Sequence, residues 1–285
     1  MATFLPGVYA FFAAAAAGCL LATVFGELRR VGTDRLTAVT LSALVATLAA
    51  AAAVVGQFGR PALLFSVFSN PGTAIFRELA SLLLALLAGA AYLAALRTGA
   101  TRRTGRKLSL LAAASGLILA LAVGSAAVQP WRPVWNTWTL VLPTAGFAWL
   151  AGVMLAKSLG ATGHESAGLA LSVMKKAEEK TGETASEPLW ESTRLAALAP
   201  LVGLACYFAA ASTDASARTA LASLLTGANA WLFWAGVIVP SVLLSSLAAQ
   251  FASDTLKRNP VLGIALATLS AFAAGAWQHL VLGLA

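Results

Sequence analysis

The sequence predicts an all-α, polytopic integral membrane protein: one transmembrane domain over residues 1–285, eight helices in a bundle, both termini outside. Three observations predict it. Hydrophobic residues make up 59% of the 285-residue chain and charged residues only 11%, with a mean hydropathy of +0.82. A soluble domain of this size needs far more charge to cover its surface. The apolar residues also gather into runs of about 20, the length that crosses a bilayer. Finally, the Lys and Arg fall between these runs and favour alternate loops, the pattern that orients membrane proteins. The net charge of +8 therefore orients the chain in a lipid membrane, and no nucleic-acid partner is expected.

The first run is Leu5–Phe25. Its Ala16-Ala17-Gly18-Cys19 superficially resembles a lipoprotein cleavage box. However, Met1–Phe25 contains no Lys or Arg, and the run continues past the cysteine, so it reads as an uncleaved span. Leu36–Gly56, Ile75–Leu96, Leu108–Val128 and Trp135–Leu155 follow, then Leu195–Ala211, Trp231–Ala249 and Val261–Leu282. Leu195–Ala211 is the weakest, being short and soon followed by Asp214. Alanine tracts such as Ala13–Ala17 and Ala49–Ala53 suit close helix contact, because small side chains let helices approach where water supplies no driving force. Pro143, Pro200 and Pro240 lie in or beside spans, where a bundle tolerates the kink.

The loops after the second, fourth and sixth spans, with their margins, hold only Arg60, Arg77, Arg132 and Arg218. All the other Lys and Arg fall after the first, third, fifth and seventh spans. That assigns the basic loops to the cytoplasm and both termini to the outside. The basic loop Arg97–Lys107 contains Gly99 and Gly105-Arg106-Lys107, faintly like a phosphate-binding loop. Its spacing is wrong and no Ser or Thr follows Lys107, so it reads as an inner loop meeting anionic lipid. The longest connection, residues 160–193, mixes glutamates with lysines and reads as a cytoplasmic connector with a short surface helix near Leu169–Lys180.

Cofactor chemistry is narrowed by counting ligands. Cys19 and Cys206 each sit in an apolar run with no ligand partner nearby, which excludes an iron–sulfur cluster or zinc site held by this chain's cysteines. The only histidines, His164 and His279, belong to opposite sides. A bis-histidine haem within one chain is therefore excluded, and no metal is expected.

One acidic residue stands apart. Glu78 lies just inside the third span, after Ile75-Phe76-Arg77, while the other acidic residues fall in loops or at their edges. An ionisable group in the bilayer costs several kcal/mol and is usually kept for a function. Glu78 is thus either a boundary carboxylate paired with Arg77 or a proton-handling group. On the same outer face lie Gln57, Arg60, Arg77, Trp135, Trp138 and His279, together with Asn136 and the tryptophans 131, 231, 234 and 277. An aromatic belt explains some of these. Converging polar groups on a face poor in basic residues also suit a small-molecule pocket or a docking surface.

Gln57-Phe58-Gly59-Arg60-Pro61 followed by Arg77-Glu78, with Trp135-Asn136-Thr137-Trp138 and Pro143 later, resembles the membrane-anchor subunits of dimethyl sulfoxide reductase-type molybdoenzymes. The family's signature after the second span reads His-Leu-Gly-x-Pro, followed about twenty residues later by a quinol-site glutamate. Gly59, Pro61 and Glu78 match it, while Gln57 replaces the histidine and leaves hydrogen bonding only. Gly275-Ala276-Trp277-Gln278-His279 stands where the family's last span usually carries an acidic residue and a Gly-Arg pair.

The resemblance implies a haem-free anchor in the cytoplasmic (inner) membrane of a bacterium or archaeon. It would oxidise menaquinol near the outer face and pass electrons to an iron–sulfur subunit, which feeds a molybdopterin catalytic subunit. Glu78 would accept a proton, and Gln57 or His279 would hydrogen-bond a ring oxygen beside Trp135. Arg60 and Arg77 would tune the carboxylate or meet the partner. Two other readings stay open: a structural anchor without a quinone site, and a small-molecule transporter. The latter calls for an internal repeat with interrupted helices, and no convincing repeat is found.

Overall fold

The computed structural model describes residues 5–28, 31–57, 67, 69–128, 136–161, 193–228, 230–250 and 260–283. Among them there are helices and turns but no strand. The helices are α1 (Leu5–Leu28), α2 (Thr33–Gln57), α3 (Ala74–Arg97), α4 (Arg102–Ala126), α5 (Val141–Ala161), α6 (Thr193–Ala211), α7 (Ala215–Thr226), α8 (Ala230–Phe233), α9 (Val239–Gln250) and α10 (Pro260–Gly283). A 3-10 turn, Trp138–Leu140, leads into α5, and a π-helical turn, Trp234–Ile238, joins α8 to α9.

Seven helices among the described residues are long and apolar enough to cross a membrane: α1, α2, α3, α4, Trp138–Ser158, α6 and Val261–Leu282. The chain is a multi-pass membrane protein. The expected seventh span, Trp231–Ala249, has a different form. Its helix is interrupted by the π turn and pairs with α7 at a bend of 81°, so an eighth span exists only if this bent pair counts as one. The π turn has a local cause. Pro240 lacks an N–H, and its ring would press on the carbonyl four residues earlier, at Gly236. Widening the helix by one residue there relieves the conflict.

Helix α7 falls where the sequence reading leaves a loop. At 12 residues it is too short to span. Nevertheless Ala217, Leu221 and Leu224, at helical spacing, are buried in one apolar cluster with Phe233 and Trp277. Residues 162–192, including the expected surface helix near Leu169–Lys180, lie outside the described residues.

Helix α1 is the axis of the bundle, packing on α2, α4, α5 and α10. Its alanines make that possible: Ala10, Ala13, Ala14, Ala16 and Ala17 are all buried. A Cβ placed on Gly18 would stand 2.9 Å from the Ala151 side chain, and one on Gly152 would stand 3.0 Å from the Gly18 carbonyl. Backbones this close maximise dispersion contact, the main attraction between helices in lipid. The α1 axis divides the apolar core. Tyr9, Ala13, Ala16 and Leu20 pack with α2, α3 and α4. On the other side, Ala14 joins Phe147, Tyr207, Phe233 and Trp277.

Buried side-chain hydrogen bonds also tie α10 to its neighbours. The Ser270 hydroxyl donates to the Phe147 carbonyl at 2.7 Å, and the Gln278 amide donates to the Val123 carbonyl at 3.0 Å. The basic loop between α3 and α4 is a compact helix stop. Gly99 adopts φ +64°, and the N–H groups of Thr98 and Ala100 donate to Ala94 and Ala95. That left-handed residue closes the helix end.

Candidate functional site

The third helix begins on a side-chain cap. The Thr73 hydroxyl oxygen accepts from the Phe76 N–H at 3.2 Å and donates to the Asn70 carbonyl at 3.0 Å. Capping of this kind satisfies an N–H left over at the helix start and fixes where the first turn points. One turn later, Arg77 and Glu78 are rotated by about 100° from each other. Arg77 is therefore exposed, while Glu78 is turned inward and only 7% exposed. Leu82, four residues on and on the same helix face, is buried in the cluster that contains Tyr9 and Val54.

Tyr9 is the residue that the sequence reading missed. It is buried at 2% exposure and lies within electrostatic reach of Glu78. Its hydroxyl has no hydrogen-bond partner among the described residues. One signal was available: Tyr9 is the only side chain able to hydrogen-bond between Leu5 and Gly18. Arg77 also acts electrostatically on Glu78. No ion pair to Glu78 occurs among the described residues.

The exposed side of α3 faces a second feature. A groove of about 660 Å³ runs between α3, α4 and the start of α5. Arg77, Ser81, Ser125 and Trp138 line it together with Phe76, Leu84 and Ile118. Its walls are largely apolar, and its volume is in the range of small-molecule sites. The Ser81 hydroxyl donates to the backbone carbonyl of Glu78 at 2.8 Å, so one turn of helix carries both the buried carboxylate and the groove wall.

The remaining expected site residues divide. Gln57 is the last residue of α2 and is exposed. Its neighbour Gly56 lies beside Leu5, which places Gln57 at the same end of the bundle as Tyr9 and Glu78. His279 is half-buried against Gly7, where an added Cβ would stand 2.9 Å from the histidine Cβ. Gly7 and Tyr9 are about 200° apart around α1. His279 and Glu78 therefore sit on opposite sides of that helix. Arg60 and Trp135 lie outside the described residues.

No known family model matches the chain, and no curated protein matches it. Function therefore rests on the site itself. A buried carboxylate within electrostatic reach of a buried phenol can hold and move a proton, and a largely apolar groove lies along the same turn of helix. Among the described residues no group of three His, Cys, Asp or Glu is placed to hold a metal ion.

Proposed function

We propose that this chain is the quinol-oxidising membrane anchor of a respiratory molybdoenzyme complex of the dimethyl sulfoxide reductase type. The observation that carries the reading is Glu78, a buried carboxylate within electrostatic reach of the Tyr9 hydroxyl, which has no hydrogen-bond partner among the described residues. A buried polar atom without a partner costs free energy. A lipid-soluble ligand bearing a hydroxyl would supply that partner.

In this reading a menaquinol enters from the lipid along the groove lined by Arg77 and Trp138. One ring hydroxyl meets the Glu78 carboxylate, and the Tyr9 hydroxyl hydrogen-bonds the same ring oxygen. Oxidation of the quinol to the quinone releases two electrons and two protons. The electrons leave for an iron–sulfur subunit docked at this end of the bundle, which feeds a molybdopterin subunit. Glu78 accepts the two protons in turn and returns each to the aqueous face. The chain itself binds, orients and transfers protons, while partner cofactors carry the electrons. Gln57, at the family's histidine position, hydrogen-bonds near the mouth. His279 supports α1 from behind and stays outside the ring pocket.

In this reading the protein lies in a bacterial or archaeal cytoplasmic membrane, and the charge bias supports an extracytoplasmic location for this end and both termini. The deciding assay is quinol oxidation by the assembled complex with Glu78→Gln. Undiminished turnover removes Glu78 from the mechanism. A second reading, an inert anchor, draws on the exposure of Gln57 where the family has histidine. Saturable binding of a quinone analogue, read by fluorescence quenching, separates the two.

A further inference from the structure

The opposite end of the bundle holds a feature that quinol chemistry does not use. Glu27, Arg102, Arg103, Arg106 and Lys107 line a pocket of about 480 Å³, floored by Leu28 and Leu110. Four cations thus surround one carboxylate. That carboxylate is already engaged: the Tyr92 hydroxyl donates to Glu27 Oε1 at 2.9 Å. Gly105 presses on the same oxygen, since a Cβ there would stand 3.3 Å from it. Glu27 is thereby held to one wall, and the four cations are exposed with no ion pair among the described residues.

Their position in the helix adds to the excess. Arg102 and Arg103 occupy the first turn of α4, which contains no acidic residue, and the Thr101 side chain makes no cap hydrogen bond there. A helix N-terminus carries partial positive charge, so cations in its first turn are unfavourable without an anion. Below the pocket, Leu110 and Leu117 lie on one exposed face of α4, a wall suited to acyl chains.

We infer that this pocket binds the phosphate of an anionic phospholipid, with the acyl chains along the exposed leucines of α4. The chemistry is phosphate recognition by guanidinium forks and an ammonium, at the end that charge bias assigns to the cytoplasmic leaflet. The site is independent of the quinol reading, because it lies at the other end of the bundle from Glu78.

The test is native mass spectrometry of the full chain in mild detergent, titrated with phosphatidylglycerol or phosphatidylcholine of the same acyl chains. Binding of phosphatidylglycerol is expected to be saturable and at least about fivefold tighter, the effect of roughly one charge near a membrane surface. Arg103→Gln combined with Arg106→Gln weakens it about 30-fold. Glu27→Gln, which keeps an oxygen for Tyr92 but removes the opposing charge, tightens it about fivefold. That gain remains readable where the double variant fails to fold. Arg194→Gln, on another basic helix start, leaves binding unchanged. Equal affinity for the two lipids, or equal loss with Arg194→Gln, overturns the proposal. Displacement of phosphatidylglycerol by inorganic phosphate but not by chloride of equal ionic strength also overturns it, as the mark of a free-anion site.

Discussion

Tyr9 and Glu78 are both buried near one end of the bundle and lie within electrostatic reach of each other. The first helix makes most of its contacts with α2, α4, α5 and α10, and it meets α3 again at the other end of the bundle, where the Tyr92 hydroxyl donates to Glu27. No hydrogen bond joins the carboxylate to the phenol among the described residues. This arrangement suits a ligand that must come and go.

Glu78→Gln is expected to lower quinol oxidation by the assembled complex by about a hundredfold or more, the usual contribution of a positioned base. The amide keeps the size and a hydrogen-bonding oxygen, so assembly and thermal stability are unchanged. Turnover measured with a soluble quinol analogue on purified complex checks both halves.

Tyr9→Phe removes only a hydroxyl that has no partner among the described residues. Stability should therefore stay within about 1 kcal/mol of the parent. If the hydroxyl orients the quinol, the Michaelis constant rises several-fold. A drop in melting temperature with unaltered kinetics would assign Tyr9 to packing instead.

Trp138 is 68% exposed on the wall of the groove. Trp138→Ala should leave folding intact and weaken binding of a quinone analogue, whereas an aromatic-belt residue would alter neither binding nor turnover. Quenching titrations of the variant discriminate the two roles.

Gly146 and Gly203 lock α5 to α6. A Cβ on Gly146 would stand 2.7 Å from the Pro200 nitrogen, and one on Gly203 would stand 2.7 Å from the Pro143 nitrogen. Each helix thus places its Pro-x-x-Gly segment against the other's, running antiparallel. Because the opposing atoms are backbone and cannot swing aside, Gly146→Ala should cost about 1–3 kcal/mol. A thermal-shift measurement in detergent reads it, and an unchanged melting temperature would contradict this packing.

The amino-acid sequence alone determined the class of the molecule and the positions of its long helices. Seven apolar runs became helices within about six residues of their expected limits, because a bilayer demands a minimum apolar length and makes an unpaired backbone group expensive. Glu78 was legible for the same reason, since a lone carboxylate in an apolar run violates the local pattern. Its partner was not. Tyr9 lies 69 residues away, and no periodicity announces which helix face will meet which. Rotation of α1 about its axis separated His279 from Glu78, although both sit near the same end of the bundle. Linear spacing carries no such angle, and close packing of glycine and alanine surfaces decides it. The bend after α7 likewise arose in a short segment whose shape depends on its neighbours, whereas hydropathy registers only length.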